Sequence, residues 1–266
     1  MPEEHGHRTI KSVDTACRLV TLLRERREAT VSSLAAGLGL TPGTVHTHLA
    51  TLKDHGLVIQ ESEGYRLGPR FLTLGESVRN HSDLYQAAKE EVEALAGESG
   101  ECVHLLTEHD GRLVPVYERF GENAVGVEYH DRKREEPVKH LHCTAAGKAI
   151  LAYTPDERVE GIAGSVGLPP NTPKTITDRE ALFDELDRIR ERGYSVADEE
   201  QLQGIRAVGA PIRGPDGDAR GAVAVSGPTS RLKGERFAST VPELVTQTAN
   251  ICEVNYETLD LSEDVL

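Results

Sequence analysis

The stretch ATVSSLAAGLGLTPGTVHTHLATLKDHG, residues 29–56, decides the fold of the N-terminal region. Thr30 stands where an N-cap belongs, and VSSLAAGL behind it reads as a short helix. Gly39-Leu40-Thr41-Pro42 then makes a tight turn. Thr41 offers its hydroxyl to the first free amides of a new helix, and Pro42 takes the first helical position, where its missing N–H costs nothing. In that helix Val45, Leu49 and Leu52 recur at i, i+4 and i+7 and face inward, which leaves Pro42, Gly43, Thr44, His46, Thr47 and Thr51 on or near the outer side. Two short helices joined by a four-residue turn are the helix-turn-helix pattern, whose second helix enters the major groove with its N-terminal residues at base edges.

Upstream, SVDTACRLVTLLRER reads as a helix capped by Ser12 and buried through Val13, Ala16, Cys17, Val20 and Leu23, with Cys17 as a small core residue. Arg24, Arg26 and Arg27 at its end either touch phosphates or complement the helix dipole. Downstream, LVIQES, a turn at Gly64 and YRLG form a two-stranded hairpin in the place of a wing. A plain helical subdomain is the bland alternative; the capped turn, the small polar face and the hairpin together favour DNA binding. PRFLTLGESVRNHSDLYQAAKEEVEALAGESG follows as two helices broken near Asn80-His81-Ser82, with Ser82 as the new cap.

The whole chain has 266 residues and a formal net charge of −14, enough for about two domains and acidic for a DNA binder. The acidity is segregated. Residues 1–75 carry 9 Lys plus Arg and 8 Asp plus Glu, whereas residues 76–266 carry 21 and 36. Of the basic residues, 22 are Arg and 8 are Lys, a balance that fits either a high-salt cytosol or a GC-rich genome. Four scattered cysteines without CxxC pairing point to reduced thiols, and no apolar run or basic leader suggests a membrane span or secretion, so a cytoplasmic protein is expected.

In the second half, ECVHLLTEHDGRLVPVYERF gives two strands around Asp110-Gly111, and NAVGVEY continues as a further strand. After the loop DRKREEPVKH, LHCTAAGKAILA sets Thr144 before a helix whose first turn, Ala145-Ala146-Gly147, is small enough for close approach by an anion. RERGYSVADEEQLQGIRAVGAPI ends a helix at Arg192, turns at Gly193, passes Asp198-Glu199-Glu200 and enters a strand that pairs across GPDGD with RGAVAVSG. A terminal helix from Gly234 to about Thr258 is expected to pack through Leu244, Ala249 and Ile251.

SVDTACRLVTLL, the helix-turn-helix and YRLG, followed by HCTAAGKAILA (142–152), TPKTITDREALFDEL (172–186), RGYSVADEEQLQGIRAVGAPI (192–212) and GAVAVSGPTSRL (221–232), closely resemble the IclR family of transcriptional regulators over about residues 9–258. The resemblance implies an α+β fold: a winged helix-turn-helix domain at 9–70, linker helices at 71–99, and a GAF-like effector-binding domain at 100–266. It implies a homodimer or tetramer on a near-palindromic double-stranded operator, and a small-molecule effector, expected to carry a carboxylate. It places the effector against Thr144, Ala145, Ala146, Asp198, Glu199, Ala207 and Ser226. Departures are visible: the family commonly has a basic residue at Thr47 and often Lys near Pro42, Cys at Ala207, and two serines at Ala224 and Ser226.

His140-Leu141-His142-Cys143 invites a metal site with Cys102, His104 and the Asp198 loop as distant partners, or a thiol nucleophile at Cys143 with His142 as base. Alternation along a strand separates Cys143 from the two histidines, and adjacent residues rarely reach nucleophile–base geometry. Neither a metal, a cofactor nor a catalytic residue is therefore expected. The competing class is a small-molecule sensor or thiol-dependent enzyme whose helical domain serves dimerisation.

Overall fold

The computed structural model describes residues 9–62, 64–125 and 140–263, and it divides into two units, Met1–Arg79 and Asn80–Leu266. In the first unit α1 (Lys11–Arg26), α2 (Val31–Leu38) and α3 (Pro42–Asp54) are followed by the hairpin β1 (Val58–Glu61) and β2 (Gly64–Leu67), then by α4 (Arg70–Asn80). The helices and the hairpin share one core of Leu19, Leu23, Leu34, Val45, Leu49, Leu52, Val58 and Tyr65. Thr30 and Thr41 cap α2 and α3 as their positions predict, and Gly39 ends α2 in the left-handed conformation that frees the chain to turn.

The first helix differs from expectation. It begins one residue before Ser12, with Ile10 at the N-cap and no side-chain cap. Val13 and Cys17 are exposed; the buried stripe is Leu19 and Leu23, with Ala16 and Val20 half-buried. The sequence carries two overlapping apolar stripes here, and only the position of α2, α3 and the hairpin selects between them. α4 buries no side chain at all, leaving Leu72 and Val78 exposed.

The second unit begins with α5 (Asp83–Ser99), capped by Ser82, and contains β3 (Cys102–His109), β4 (Arg112–Phe120), α6 (Ala145–Ala152), α7 (Asp156–Val166), α8 (Arg179–Arg192), β5 (Ser195–Asp198), β6 (Ile205–Arg213) and β7 (Ala219–Pro228). A π-helical turn at Arg236–Thr240 leads into α9 (Val241–Glu263). The five strands form one antiparallel sheet in the order β4-β3-β7-β6-β5. The strand expected over NAVGVEY runs into residues 126–139, which lie outside the described residues together with most of the following loop.

Pleat alternation divides the sheet between two cores. Val103, Leu105, Val208, Ala210, Val223 and Val225 meet Leu84, Ala88, Val92 and Leu95 of α5 and Val241, Val245 and Ala249 of α9 on one face. Leu106, Ala222 and Ala224 meet Ala146, Ala149 and Ile150 of α6 and Leu182, Leu186 and Ile189 of α8 on the other. α5 is thus part of the second unit's core rather than a free linker, because its buried residues Leu84, Ala88, Val92 and Leu95 recur at helical spacing against the sheet. In α9 Ala249 is buried and Leu244 packs partly buried against this core as expected, whereas Ile251 is exposed and Cys252 is buried beside it.

Candidate nucleic-acid interface and effector site

In the reading head, the buried residues Val45, Leu49 and Leu52 anchor α3, and Pro42, Gly43, Thr44, His46, Thr47 and Thr51 are all exposed. Thr41 Oγ1 accepts from the Thr44 amide at 3.2 Å and bonds the Thr44 hydroxyl at 2.9 Å. Thr47 Oγ1 donates to the Gly43 carbonyl at 3.0 Å and Thr51 Oγ1 to the Thr47 carbonyl at 3.2 Å. With their protons held by the helix, these two hydroxyls turn lone pairs and methyl groups outward. Such a face suits exocyclic amino donors and thymine methyls at base edges.

Three basic residues of this unit, Arg26, Arg70 and Lys53, have duties inside the fold. Arg26 donates from Nη1 to the Ser33 carbonyl at 2.9 Å and to its hydroxyl at 2.6 Å, fastening the end of α1 to α2. Arg70 Nη1 donates to the His55 carbonyl at 2.7 Å, just past the end of α3, and Lys53 Nζ donates to Gln60 Oε1 at 3.3 Å in the hairpin. Arg66 pairs with Glu61 across the hairpin, so the wing presents a compensated charge.

In the second unit the expected effector residues fall in two groups. Thr144 caps α6 by accepting from the Gly147 amide at 3.0 Å, and Ala145 and Ala146 are buried in its first turn. That turn presses onto the sheet: a Cβ built on Gly209 of β6 would stand 2.9 Å from the Ala145 carbonyl carbon and 3.0 Å from the Ala146 nitrogen. Ser195 Oγ ties the same point by donating to the Ala145 carbonyl at 2.5 Å. Ala207 and Ser226 are register partners on β6 and β7, on the face that carries α6.

Asp198 does not join them. It pairs with Arg206 in register and, by alternation, projects to the opposite face, where Arg206 stacks over Phe237 at 4.7 Å. Its carboxylate bonds Arg206 Nε at 2.5 Å and Lys174 Nζ at 3.1 Å, and these partners hold its pKa down. Glu199 has a φ of 62° and accepts from Lys174 Nζ and the Gly204 amide, both at 2.8 Å, which closes the turn after β5. The expectation that both carboxylates line a cavity with Ser226 is corrected for Asp198 by the parity of the pleat, and Glu199 serves the turn.

The acid that does turn beneath α6 is Glu200. Its two oxygens accept from Lys148 Nζ at 2.6 and 2.8 Å, while Lys148 also donates to the Val196 carbonyl at 2.6 Å. Lys148 is 1% exposed, in the middle of an eight-residue helix that is buried throughout. Burial raises the Glu200 pKa despite the ammonium beside it. The Thr175 hydroxyl donates to the Glu200 carbonyl at 2.6 Å and the Thr172 hydroxyl to the Glu199 carbonyl at 2.7 Å, which fixes the loop that carries the acid. The sequence signal was GKA beside the DEE run, which spacing alone could not join across 52 positions.

A second group missed from the sequence lies across β4, β3 and β7. His104 Nδ1 is 2.7 Å from Glu118 Oε1, its register partner, and Nε2 is 2.8 Å from Ser226 Oγ.

The His140-His142-Cys143 segment forms a turn rather than a strand. The two imidazoles pack edge to face at 5.7 Å, His142 Nε2 meets the Pro169 carbonyl at 3.2 Å, and burial lowers the His142 pKa. Cys143 is buried, and its sulfur accepts from Asn171 Nδ2 at 3.2 Å and approaches the His140 carbonyl at 3.6 Å. Among the described residues no three His, Cys, Asp or Glu side chains converge as a metal site.

The model of the bacterial transcriptional regulator IclR C-terminal domain matches residues 76–253, and that of the bacterial regulatory protein arsR family matches residues 14–60. The chain belongs to the IclR family of transcriptional regulators. A probable HTH-type transcriptional regulator ArcR of Halobacterium salinarum is 42% identical to this IclR-family chain over 94% of its length and 95% of the relative's. The crystal structure of the Thermotoga maritima IclR is similar with a TM-score of 0.72 and 25% identity, covering 93% of this chain and 99% of that one. An IclR homolog from Microbacterium hydrocarbonoxydans, complexed with 4-hydroxybenzoate, shares the fold with a TM-score of 0.77 and 21% identity over 92% and 98% of the two chains. The arsR-family match of this IclR-type protein falls on α1 to β1, the segment that builds the reading head. Among the described residues no helix is long and apolar enough to cross a membrane.

Proposed function

We propose that this transcriptional regulator reads a near-palindromic operator as a homodimer or tetramer, each α3 entering a major groove, and that a small organic metabolite modulates the binding. The observation that carries the reading is the exposed end of α3: six small or polar residues, capped rigidly by Thr41 and Pro42, above three buried anchors. Exposed Ile10 at the N-cap of α1, Val13 on α1, and Leu72 and Val78 on α4 supply apolar surface for a second copy. The effector lies on the α6 face of the GAF-like unit, near Thr144, Ala145, Ala146, Ala207 and Ser226. A carboxylate suits that site, and the homolog complexed with 4-hydroxybenzoate supports this class. The compensated basic residues and acidic second unit suit a salty cytoplasm, as in the relative from a halophile.

The test is selection of bound duplexes from a randomised library at about 0.15 M and at molar KCl. An enriched inverted repeat is expected, with discrimination lost when Thr44 and His46 are both replaced by Ala. Undiminished discrimination in that variant refutes the assignment of α3 as the reading helix.

A further inference from the structure

Gly43, Thr47 and Thr51 follow one another at four-residue spacing along the exposed side of α3. The two threonine hydroxyl protons are engaged by the Gly43 and Thr47 carbonyls, at 3.0 and 3.2 Å. Each Oγ1 is left with lone pairs to offer, and each methyl group faces outward. Gly43 is not demanded by the fold: a Cβ built there would meet nothing within 4 Å, and its φ is not positive. Its missing side chain clears the approach to this ridge.

What α3 lacks is equally informative. From Pro42 to Leu52 it carries no Arg, Lys, Asn or Gln, the residues that hold guanine or adenine through two bonds at once. Lys53 comes only in the last turn, and its ammonium donates to Gln60 of the hairpin at 3.3 Å. Discrimination by the ridge therefore falls to threonine.

An A·T pair shows the major groove the methyl group of thymine and, beside it, the amino group of adenine. Threonine methyls with outward lone pairs meet both halves of that pattern without rearrangement. A G·C pair keeps an amino group on cytosine, but it has no methyl and presents two guanine acceptors. Those acceptors would oppose the threonine lone pairs, or the hydroxyl proton would have to leave its carbonyl. Thr47 and Thr51 are separated by about 6 Å along the helix axis, close to two base-pair steps of about 3.4 Å.

We propose that α3 reads thymine by its methyl group: Thr47 and Thr51 each face the C5 methyl of a thymine in an A·T pair, the two pairs lying about two steps apart in each half-site. The inference rests on the reading of α3 as the recognition helix and names the base pairs it takes. No charge takes part, so this discrimination escapes ionic screening, which weakens contacts to phosphate.

The experiment measures the affinity of the full chain for the selected operator with one thymine at a time replaced by deoxyuridine, which removes the methyl group and leaves base pairing intact. Two positions in each half-site should each weaken binding about fourfold, the worth of one buried methyl group, at about 0.15 M and at molar KCl alike. Thr47→Ser, which keeps the hydroxyl and loses the methyl, should become indifferent to uracil at one of these positions and stay sensitive at the other; Thr51→Ser should do the reverse. Thr47→Val, with methyls but no hydroxyl, should still tell thymine from uracil. Indifference of the wild-type chain to uracil at every thymine of the half-site overturns the inference. So does undiminished uracil sensitivity in both serine variants, or an effect that vanishes in molar KCl. An enriched inverted repeat that is indifferent to uracil removes the methyl reading alone, whereas failure to enrich any repeat removes the recognition-helix reading and this inference with it.

Discussion

Replacing Glu200 by Gln should destabilise the second unit far more than its half-exposed neighbours suggest. The substitution keeps shape but leaves the Lys148 ammonium, 1% exposed, with an amide and the Val196 carbonyl in place of a carboxylate bonded at 2.6 and 2.8 Å. Glu185 at 4.0 Å is too far to replace it as a hydrogen-bond partner. Breaking a buried pair on one side costs about 3–5 kcal/mol. With a urea slope of about 2 kcal/mol/M, the midpoint falls by about 1.5–2.5 M.

Lys148→Met behaves differently, because the stranded group can discharge itself. Burial already raises the Glu200 pKa above its ordinary value of 4.5 in the presence of the ammonium, and removing Lys148 removes the two largest of the interactions that lower it. A carboxyl whose folded pKa lies above its unfolded value carries no penalty below the unfolded value. The penalty grows as pH rises from there to the folded pKa and is constant beyond. Lys148→Met should therefore recover stability on acidification toward pH 4.5, whereas the cost of Glu200→Gln should not shrink on acidification, because that variant lacks the titrating carboxyl. The double variant Lys148→Met with Glu200→Leu, which buries no charge, should be close to the wild-type protein. Far-ultraviolet circular dichroism in urea at constant ionic strength measures all three, since the chain has no tryptophan. Single variants within about 1 kcal/mol of wild type, or a Lys148→Met cost independent of pH, would refute the reasoning.

Gly209→Ala places its methyl against the Ala145 and Ala146 backbone and should cost about 1–3 kcal/mol in the same urea assay. Thr47→Arg, which puts a cation on the outer face of α3, should steepen the slope of log affinity against log salt by about 0.9 if it meets a phosphate, measured on the selected operator. Ser226→Tyr should abolish the response to effector while operator affinity without effector stays unchanged, because β7 belongs to the second unit and α3 to the first. Operator binding measured with and without effector checks it, and a normal response would remove Ser226 from the site.

The reading head was legible because its signals are local. Thr30, Thr41, Pro42 and Gly39 act within a turn of their own positions, and the Val45-Leu49-Leu52 stripe has a single buried solution. The first helix was misjudged where locality fails: two apolar stripes compete, and burying Leu19 in place of Cys17 is a choice made by neighbouring elements. In the second unit the order of motifs singles out Thr144, Ala207 and Ser226 as candidates, and the sheet places the latter two side by side. Asp198 was misplaced because the facing of a strand residue depends on register, and a one-residue change of parity moves it to the opposite core.

By itself the sequence determined the caps, the turn between α2 and α3, the hairpin and the segregation of charge, since each depends on residues a few positions apart. Only the tertiary structure decided which partners the buried polar groups have. Lys148 meets Glu200 across 52 positions, and His104 meets Ser226 across 122. These pairs exist because the five-stranded sheet, and the helix α6 packed on it, bring distant segments together, where a buried charge or donor must find its complement within about 3 Å.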